Sequence, residues 1–474
     1  MSQFPFVGPS YTARSRSLNA QRTLNLYREP GGPNGKSGSA LIGTPGLRLL
    51  TNMAGGGVRG ELKFNASTLI SVVGSNVYRL TTGWVPTLIG AIAGDTAPVS
   101  MASNGSVIML VTGPLGYFID PIAGTVTQIT DPDFTGADVV IFAAGYFLWN
   151  DPGTGKLQWS QLLGTDIDAL SFATAEKSPD NLVSVIESHG DLWLFGEAVT
   201  EIWMASTNPD QPFEPNKSAA VETGCAAKFS PAKCDNTVFW LTADDRGHGM
   251  VVRANGYSPA RASDHALETA IAGYSRIDDA IGFSYQQEGH EFYVLTFPTA
   301  DRTWVYDAAT QEWHERCWRD ADGGERRIRA NCHAAFGGEN VVGDWENGNL
   351  YAFDLDVFTD NGAAIKRQRR APHIADGNYH NVVYDALQVD FEAGVGLLSG
   401  QGSDPQAMLR WSNDGAKTWS SEHWESIGKV GENECRALWR KLGLGRDRVF
   451  EVTITDPVKV VMLGAAIQTR PCAS

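Results

Sequence analysis

What is scarce in this sequence narrows it first. Charged residues make up 19% against 42% hydrophobic, which excludes a disordered, coiled-coil or fibrous chain. Positive charge is the scarcer sign: 38 Lys+Arg face 54 Asp+Glu, leaving −16 over 474 residues. A protein that grips nucleic acid by neutralising phosphates carries a basic face, and the overall balance argues against one. The longest apolar stretch, Val139 to Trp149, is too short for a membrane helix of ~20 residues, so no membrane insertion is expected. The opening MSQFPFVGPSY has no charged segment leading into an apolar one, so no secretory signal is expected. Six cysteines form no CxxC and suit buried thiols in a reducing compartment better than a disulfide framework.

Catalytic signatures are equally thin. None of the nine histidines forms HxH or HExxH, and Cys332-His333 or His314 with Cys317 could share a metal only if folding happened to join them. No GxSxG elbow occurs, and no carboxylate pair stands out among the 54 acids. Gly35-Lys36-Ser37 ends like a phosphate loop, but Pro30 stands where its first glycine belongs. A flexible loop is the expectation there. Neither a catalytic residue nor a cofactor or metal is expected.

Glycine is abundant instead. Its 51 residues are about 11% of the chain, against roughly 7% usually, and with 47 aromatics they suit strands joined by tight turns. Seven times a polar or glycine turn opens a short apolar run, at Asn65, Asn104, Ala144, His189, Asp235, Glu288 and Gly338. The openings lie 39, 40, 45, 46, 53 and 50 residues apart. A dozen or so residues after each comes a companion strand, such as those around Tyr78 and Trp203 or ending at Ser160, Arg253, Asp307 and Asp354. A period of about 40–50 residues built from strands belongs to β-propeller blades. Seven blades are expected, with six as the alternative because the first or last unit could complete a shared blade. One helix is expected after Asp264, with Ala266, Leu267, Ala270 and Ile271 on one face.

The organisation read from this pattern is all-β. Residues 1–50 form an N-terminal arm and first strand, with Leu24 and Leu26 as apolar anchors. Residues 51–365 form the propeller, and 366–474 a C-terminal β-sandwich-like module. That module carries one SxDGxxTW Asp-box: Ser412, Asp414, Gly415, Thr418 and Trp419. In such a motif the carboxylate accepts turn N–H groups, the glycine permits the bend and the tryptophan packs beneath the hairpin. A single copy reads as a hairpin staple. Because Asp-boxes also occur in sialidases, a propeller glycosidase or glycan-binding protein is the alternative function.

Three basic clusters interrupt the acidic background: Arg326, Arg327 and Arg329; Lys366, Arg367, Arg369 and Arg370; and Arg436, Arg440, Lys441, Arg446 and Arg448. Inter-subunit contact, nucleic-acid backbone and plain solvation are all open for them. Inter-subunit contact is the expectation for Arg326, Arg327, Arg329, Lys366, Arg367, Arg369, Arg370, Arg436, Arg440 and Arg446.

The entry segment SxxxNAQRTLNLYRE…GKSGSALIGTPGL and the exit RALWRKLGLGRDRVFEVTITDPVKVVMLGA resemble the packaged-DNA stabilisation proteins of short-tailed bacteriophages. These are also called tail-nozzle, hub or tail accessory proteins. The resemblance implies a virion structural protein of the tail, assembled in the host cytoplasm and not an enzyme. It implies a homo-oligomeric ring, usually a hexamer, below the portal and adaptor rings. Such a ring prolongs the DNA channel, retains packaged DNA, carries spikes or fibres and is closed by a needle or plug. Contact with passing double-stranded DNA would then be transient and non-specific, and the isolated chain is expected to be largely monomeric.

Overall fold

The computed structural model describes residues 1–472 other than 176, 209, 245 and 379. Six antiparallel four-stranded meanders follow one another along the chain. They are blade 1 (58–91), blade 2 (100–128), blade 3 (140–174), blade 4 (182–221), blade 5 (232–261) and blade 6 (281–316). A further sheet takes three strands from residues 330–354 and its fourth, Gly46–Asn52, from the N-terminal part of the chain, with the short strands Thr359–Asp360 and Ala363–Ala364 added beyond it. Six contiguous blades are thus present, the count held as the alternative. The seventh opening, at Gly338, belongs to a sheet that the two ends of the propeller share.

The openings share one position. Each enters the second strand of its sheet, and each companion strand is the third. Five of these turns place two successive residues at positive φ: Ala144-Gly145, His189-Gly190, Asp235-Asn236, Glu288-Gly289 and Gly337-Gly338. That backbone matches the strand twist of a two-residue hairpin. At Asn65 and Asn104 the side-chain amide substitutes: each Oδ1 accepts from the N–H two residues on, at 2.9 Å.

Single meanders cannot bury a face alone, so neighbours share cores. Ile70 and Val72 of blade 1 pack with Ile108 and Leu110 of blade 2. Trp193 and Phe195 of blade 4 pack with Trp240 of blade 5, and Val58 and Leu69 of blade 1 pack with Val341 and Leu350 of the shared sheet. Side-chain bonds cross the remaining steps: Ser100 with the backbone of Val140, Asn150 to Leu182, Ser284 to Lys233 and Asn340 to Gln286. The circle closes where Asn331 Nδ2 donates to the Val58 carbonyl at 2.9 Å. The helix α1, His265–Ile271, lies between blades 5 and 6. Asp264 caps it by accepting from the Leu267 N–H, and Ala266, Leu267 and Ile271 are buried.

Beyond the propeller two sheets pack as a sandwich. One contains Leu26–Pro30, Ser39–Gly43, Val461–Pro471, Val382–Phe391 and Ala437–Arg440. The other contains Arg367–Arg370, Asp447–Ile454, Gln406–Ser412 and His423–Ser426. Leu26, Leu41, Leu387, Val389, Leu409, Phe450 and Val452 fill the space between them. The strands of the first fifty residues enter the propeller and both sandwich sheets. Of the six cysteines, Cys225, Cys234 and Cys317 are buried and Cys332 and Cys435 are half-buried.

Candidate functional site

The chemically richest region is the junction of propeller and sandwich. The outer strand of blade 6, Glu312–Arg316, pairs in parallel with Ala20–Leu24. That strand pairs antiparallel with Arg367–Arg370, which continues into Asp447–Ile454 and Gln406–Ser412. One hydrogen-bonded sheet therefore runs from the propeller into the sandwich. The arm changes sheets at Asn25, whose φ is +52°. Its amide donates to the Cys317 and Lys366 carbonyls at 3.0 and 2.8 Å and accepts from the Cys317 N–H at 2.9 Å. Asparagine tolerates this left-handed backbone better than a β-branched residue.

The basic run 366–370 lies inside this junction. Arg369 is wholly buried; it donates to the Phe6 and Pro9 carbonyls, Thr23 Oγ1 and Gln21 Oε1 at 2.6, 2.7, 2.8 and 2.6 Å. Arg367 is equally buried, yet no nitrogen of its guanidinium has a hydrogen-bond partner among the described residues. Gly43 makes room for it, since a Cβ there would stand 2.6 Å from Arg367 Nε. Burial lowers both guanidinium pKa values, to about 9 for Arg369 and about 10 for Arg367, so both stay charged at neutral pH. Arg370 pairs with buried Glu451 at 2.8 Å, and Lys366 with Glu325 at 2.7 Å. Arg22 holds both Glu315 and Glu325, at 2.6 and 2.8 Å. Burial alone would raise the Glu325 pKa, but Arg22 and Lys366 overcome it and hold it at about 2.

The strand Arg367–Arg370 is interior to a sheet, between Ala20–Leu24 of the arm and Asp447–Ile454. Burial removes Arg367 and Arg369 from the residues expected at an inter-subunit contact, while Lys366 and Arg370 keep part of their surface and pair within the chain. Arg329 likewise pairs with Asp344 at 2.8 Å and stacks on Trp318, while Arg327 stacks on Trp345. Arg326 is exposed but already pairs with Asp320 and Asp301, at 2.8 and 3.2 Å. Arg436, Arg440 and Arg446 are exposed and join no ion pair among the described residues. Arg448 is buried, donating to Asn413 and to the Leu442 and Leu444 carbonyls.

The Asp-box is a closed turn. Asp414 Oδ1 accepts from the Lys417 and Thr418 N–H groups at 3.0 and 2.9 Å, and Oδ2 from the Thr418 hydroxyl at 2.6 Å. The Ser412 hydroxyl donates to Asp414 Oδ1 at 2.6 Å and accepts from the Ala416 N–H. The Ser412 and Thr418 bonds, first among these contacts, hold the Asp414 carboxyl far below the usual carboxylate range. Gly415 supplies φ +73°, and a side chain there would press on Ser17 of the arm. Trp419 packs against the small cluster of Ala416 of this turn, Ala20 of the arm and Val449. It is half-buried, with the guanidinium of Arg370 5.0 Å from its ring centroid and that of Arg410 4.7 Å.

Sequence reasoning missed a second lock on the arm. His290 is buried, with Nδ1 2.9 Å from Asp307 and Nε2 2.5 Å from Glu29 of the arm. The bond to Asp307 leads, joined by that to Glu29, in raising the His290 pKa to about 9 against the pull of burial. Its only sequence signal is that His290 follows the turn opened at Glu288; the partner at residue 29 lies 261 positions away. The pairs Cys332-His333 and His314 with Cys317 do not assemble a metal site: no group of three or more potential ligands occurs among the described residues.

Comparison with known proteins covers both modules. Residues 2–358 match the family model described as bacteriophage P22 Gp10, β-propeller, and residues 366–470 match that described as bacteriophage P22 Gp10, β-sandwich. No curated protein matches the chain. Among solved structures, the computationally designed Ika8 protein is similar at TM-score 0.38 and 11% identity, covering 71% of this chain and 100% of its own. PorZ of Porphyromonas gingivalis is similar at TM-score 0.40 and 12% identity, covering 79% and 46%. Likenesses this distant decide nothing about the molecule.

Proposed function

The chain belongs to the bacteriophage P22 Gp10 family of phage structural proteins that stabilise packaged DNA, and on that premise we propose that it is a ring component of a short phage tail. In this role it extends the DNA channel below the portal and adaptor, retains the packaged genome, and anchors spikes, fibres or a needle. The observation that carries this reading is the continuous sheet and arm that weld propeller to sandwich. A connector under pressure must not hinge between its modules, and here hydrogen bonds, buried arginines and one shared strand join them. The formal charge of −16 suits a channel wall along which DNA slides, since each neutralised phosphate would add affinity and slow passage. Exposed Arg326, Arg436, Arg440 and Arg446 are the remaining candidates from the basic clusters for contact with a neighbouring subunit or the adaptor.

A propeller glycosidase gains no support from the Asp-box, because every Asp414 contact described above serves its own turn. The test is quantitative protein analysis of purified virions, paired with particles assembled without this chain. Multiple copies in the tail, and loss of DNA from particles lacking it, are the expected results. Absence from virions, or turnover of sialosides or host polysaccharide abolished by one acidic substitution, would overturn the proposal.

A further inference from the structure

Two surfaces of this chain carry unpaired charge of opposite sign. The first is an open cleft bounded by the arm segment 11–18, helix α1, blade 6 and the Asp-box hairpin. Arg14, Arg16, Arg302 and Lys417 line it, and none joins an ion pair among the described residues. Leu18, on its rim, is 78% exposed. Arg16 and Arg302 donate to backbone carbonyls of Ala416, Asp301 and Glu325, but in a chain of net charge −16 no carboxylate among the described residues neutralises these four cations.

The second surface is the flank of blade 3. Its outer strand, Ile167–Thr174, pairs on one side only among the described residues. Leu162, Leu163 and Leu170 are 59%, 69% and 83% exposed. Around them stand Asp131, Asp133, Asp166 and Asp168, which likewise join no ion pair among the described residues. Asp133 Oδ2 accepts from the Ala169 N–H at 3.2 Å, which ties the 131–133 loop to this strand. The flank therefore offers carboxylates beside exposed leucines, where the cleft offers cations beside Leu18.

We propose that the acidic, leucine-bearing flank of blade 3 seats in the basic cleft of a second copy of this chain. Blade 3 is three steps from blade 6 around a closed circle of seven sheets, so patch and complement lie on opposite sides and cannot meet within one molecule. A contact between two different patches is heterologous, and repetition closes it into a ring or extends it into a filament. Net acidic copies repel at long range; confining free cations to one cleft makes this orientation the favoured one and fixes register. A DNA duplex could supply anions to the cleft but has no apolar face for Leu18, and it would leave the blade 3 leucines uncovered. The proposal rests on the ring reading above and names the surfaces that build the ring.

The test mixes two full-length chains, Leu18→Cys and Leu170→Cys, under mild oxidation, with Leu88→Cys of blade 1 as the control partner. A disulfide-linked pair several-fold above the control is expected. Arg14→Glu with Lys417→Glu in the cleft chain should bring the yield to the control level, and Asp166→Lys with Asp168→Lys in the other chain should restore it. A yield no higher than control, or no restoration by the charge swap, overturns the proposal. If wild-type chains then still associate in sedimentation, the ring reading survives and its interface lies elsewhere; if they do not associate even when concentrated with the partner ring of the virion, both fall. A 30-base-pair duplex is the parallel probe: tight, salt-sensitive binding lost in the Arg14→Glu, Lys417→Glu variant would assign the cleft to DNA and overturn the proposal.

Discussion

Arg367 and Arg369 sit on one face of the same strand, both wholly buried, yet substitution by methionine should act in opposite directions. Arg369→Met removes four hydrogen bonds and strands the Phe6 and Pro9 carbonyls beneath the arm. Hydrogen bonds to a charged group contribute about 1.5–3 kcal/mol each, but they are not additive. Leaving the Phe6 and Pro9 carbonyls without a donor costs about 1–3 kcal/mol each, and we expect a net destabilisation of about 2–5 kcal/mol. Arg367→Met orphans no acceptor, because its guanidinium has no hydrogen-bond partner in the protein among the described residues. It removes a costly buried charge while keeping an aliphatic side chain of similar length, so stability should be unchanged or rise by about 1–2 kcal/mol. Urea titrations followed by tryptophan fluorescence give the two midpoints, and hydrogen exchange reports whether residues 6–23 lose protection. Only Arg369→Met should loosen the arm. Equal midpoints for the two variants, or full protection of the arm in Arg369→Met, would refute the reasoning.

Three further outcomes are expected. His290, raised to about 9 chiefly by Asp307 and then Glu29, contributes stability present in full below its ordinary value of ~6.5 and lost as pH rises through about 9. The melting-temperature gap between wild type and His290→Gln should therefore shrink above pH 9, and a constant gap would contradict the assignment. Trp419→Ala should cost about 1–2 kcal/mol, below the ~3–5 kcal/mol of a fully buried ring, because Trp419 is half-buried between two guanidinium groups; chemical denaturation decides between the two ranges. Burial pushes the Glu61 carboxyl, beside the Cys332 thiol, up to about 8. Wild type should then lose stability relative to Glu61→Gln as pH rises from ~4.3 through about 8, which melting curves across that range would reveal.

Local signals were sufficient for the repeated unit. A hairpin needs special backbone at its turn, and Asn, Gly or a polar residue before glycine marks that position openly, so Asn65, Asn104, His189 and their equivalents could be aligned from sequence alone. The Asp264 cap and the Asp-box turn were legible for the same reason: their bonds join residues two to four positions apart. Contacts across hundreds of residues left no such mark. Nothing in GLRLLTN says that Gly46–Asn52 completes a sheet begun near residue 330, so whether the last unit stood alone or was shared was open until the chain ends met. The arginine run misled because alternation reveals that two side chains share a face but not whether that face looks toward water. Only the tertiary structure lays the arm over Arg369, turns Arg367 toward Gly43, brings Glu29 to His290 and separates the free cations of the cleft from the free carboxylates of blade 3, because burial and charge pairing depend on which distant strands become neighbours.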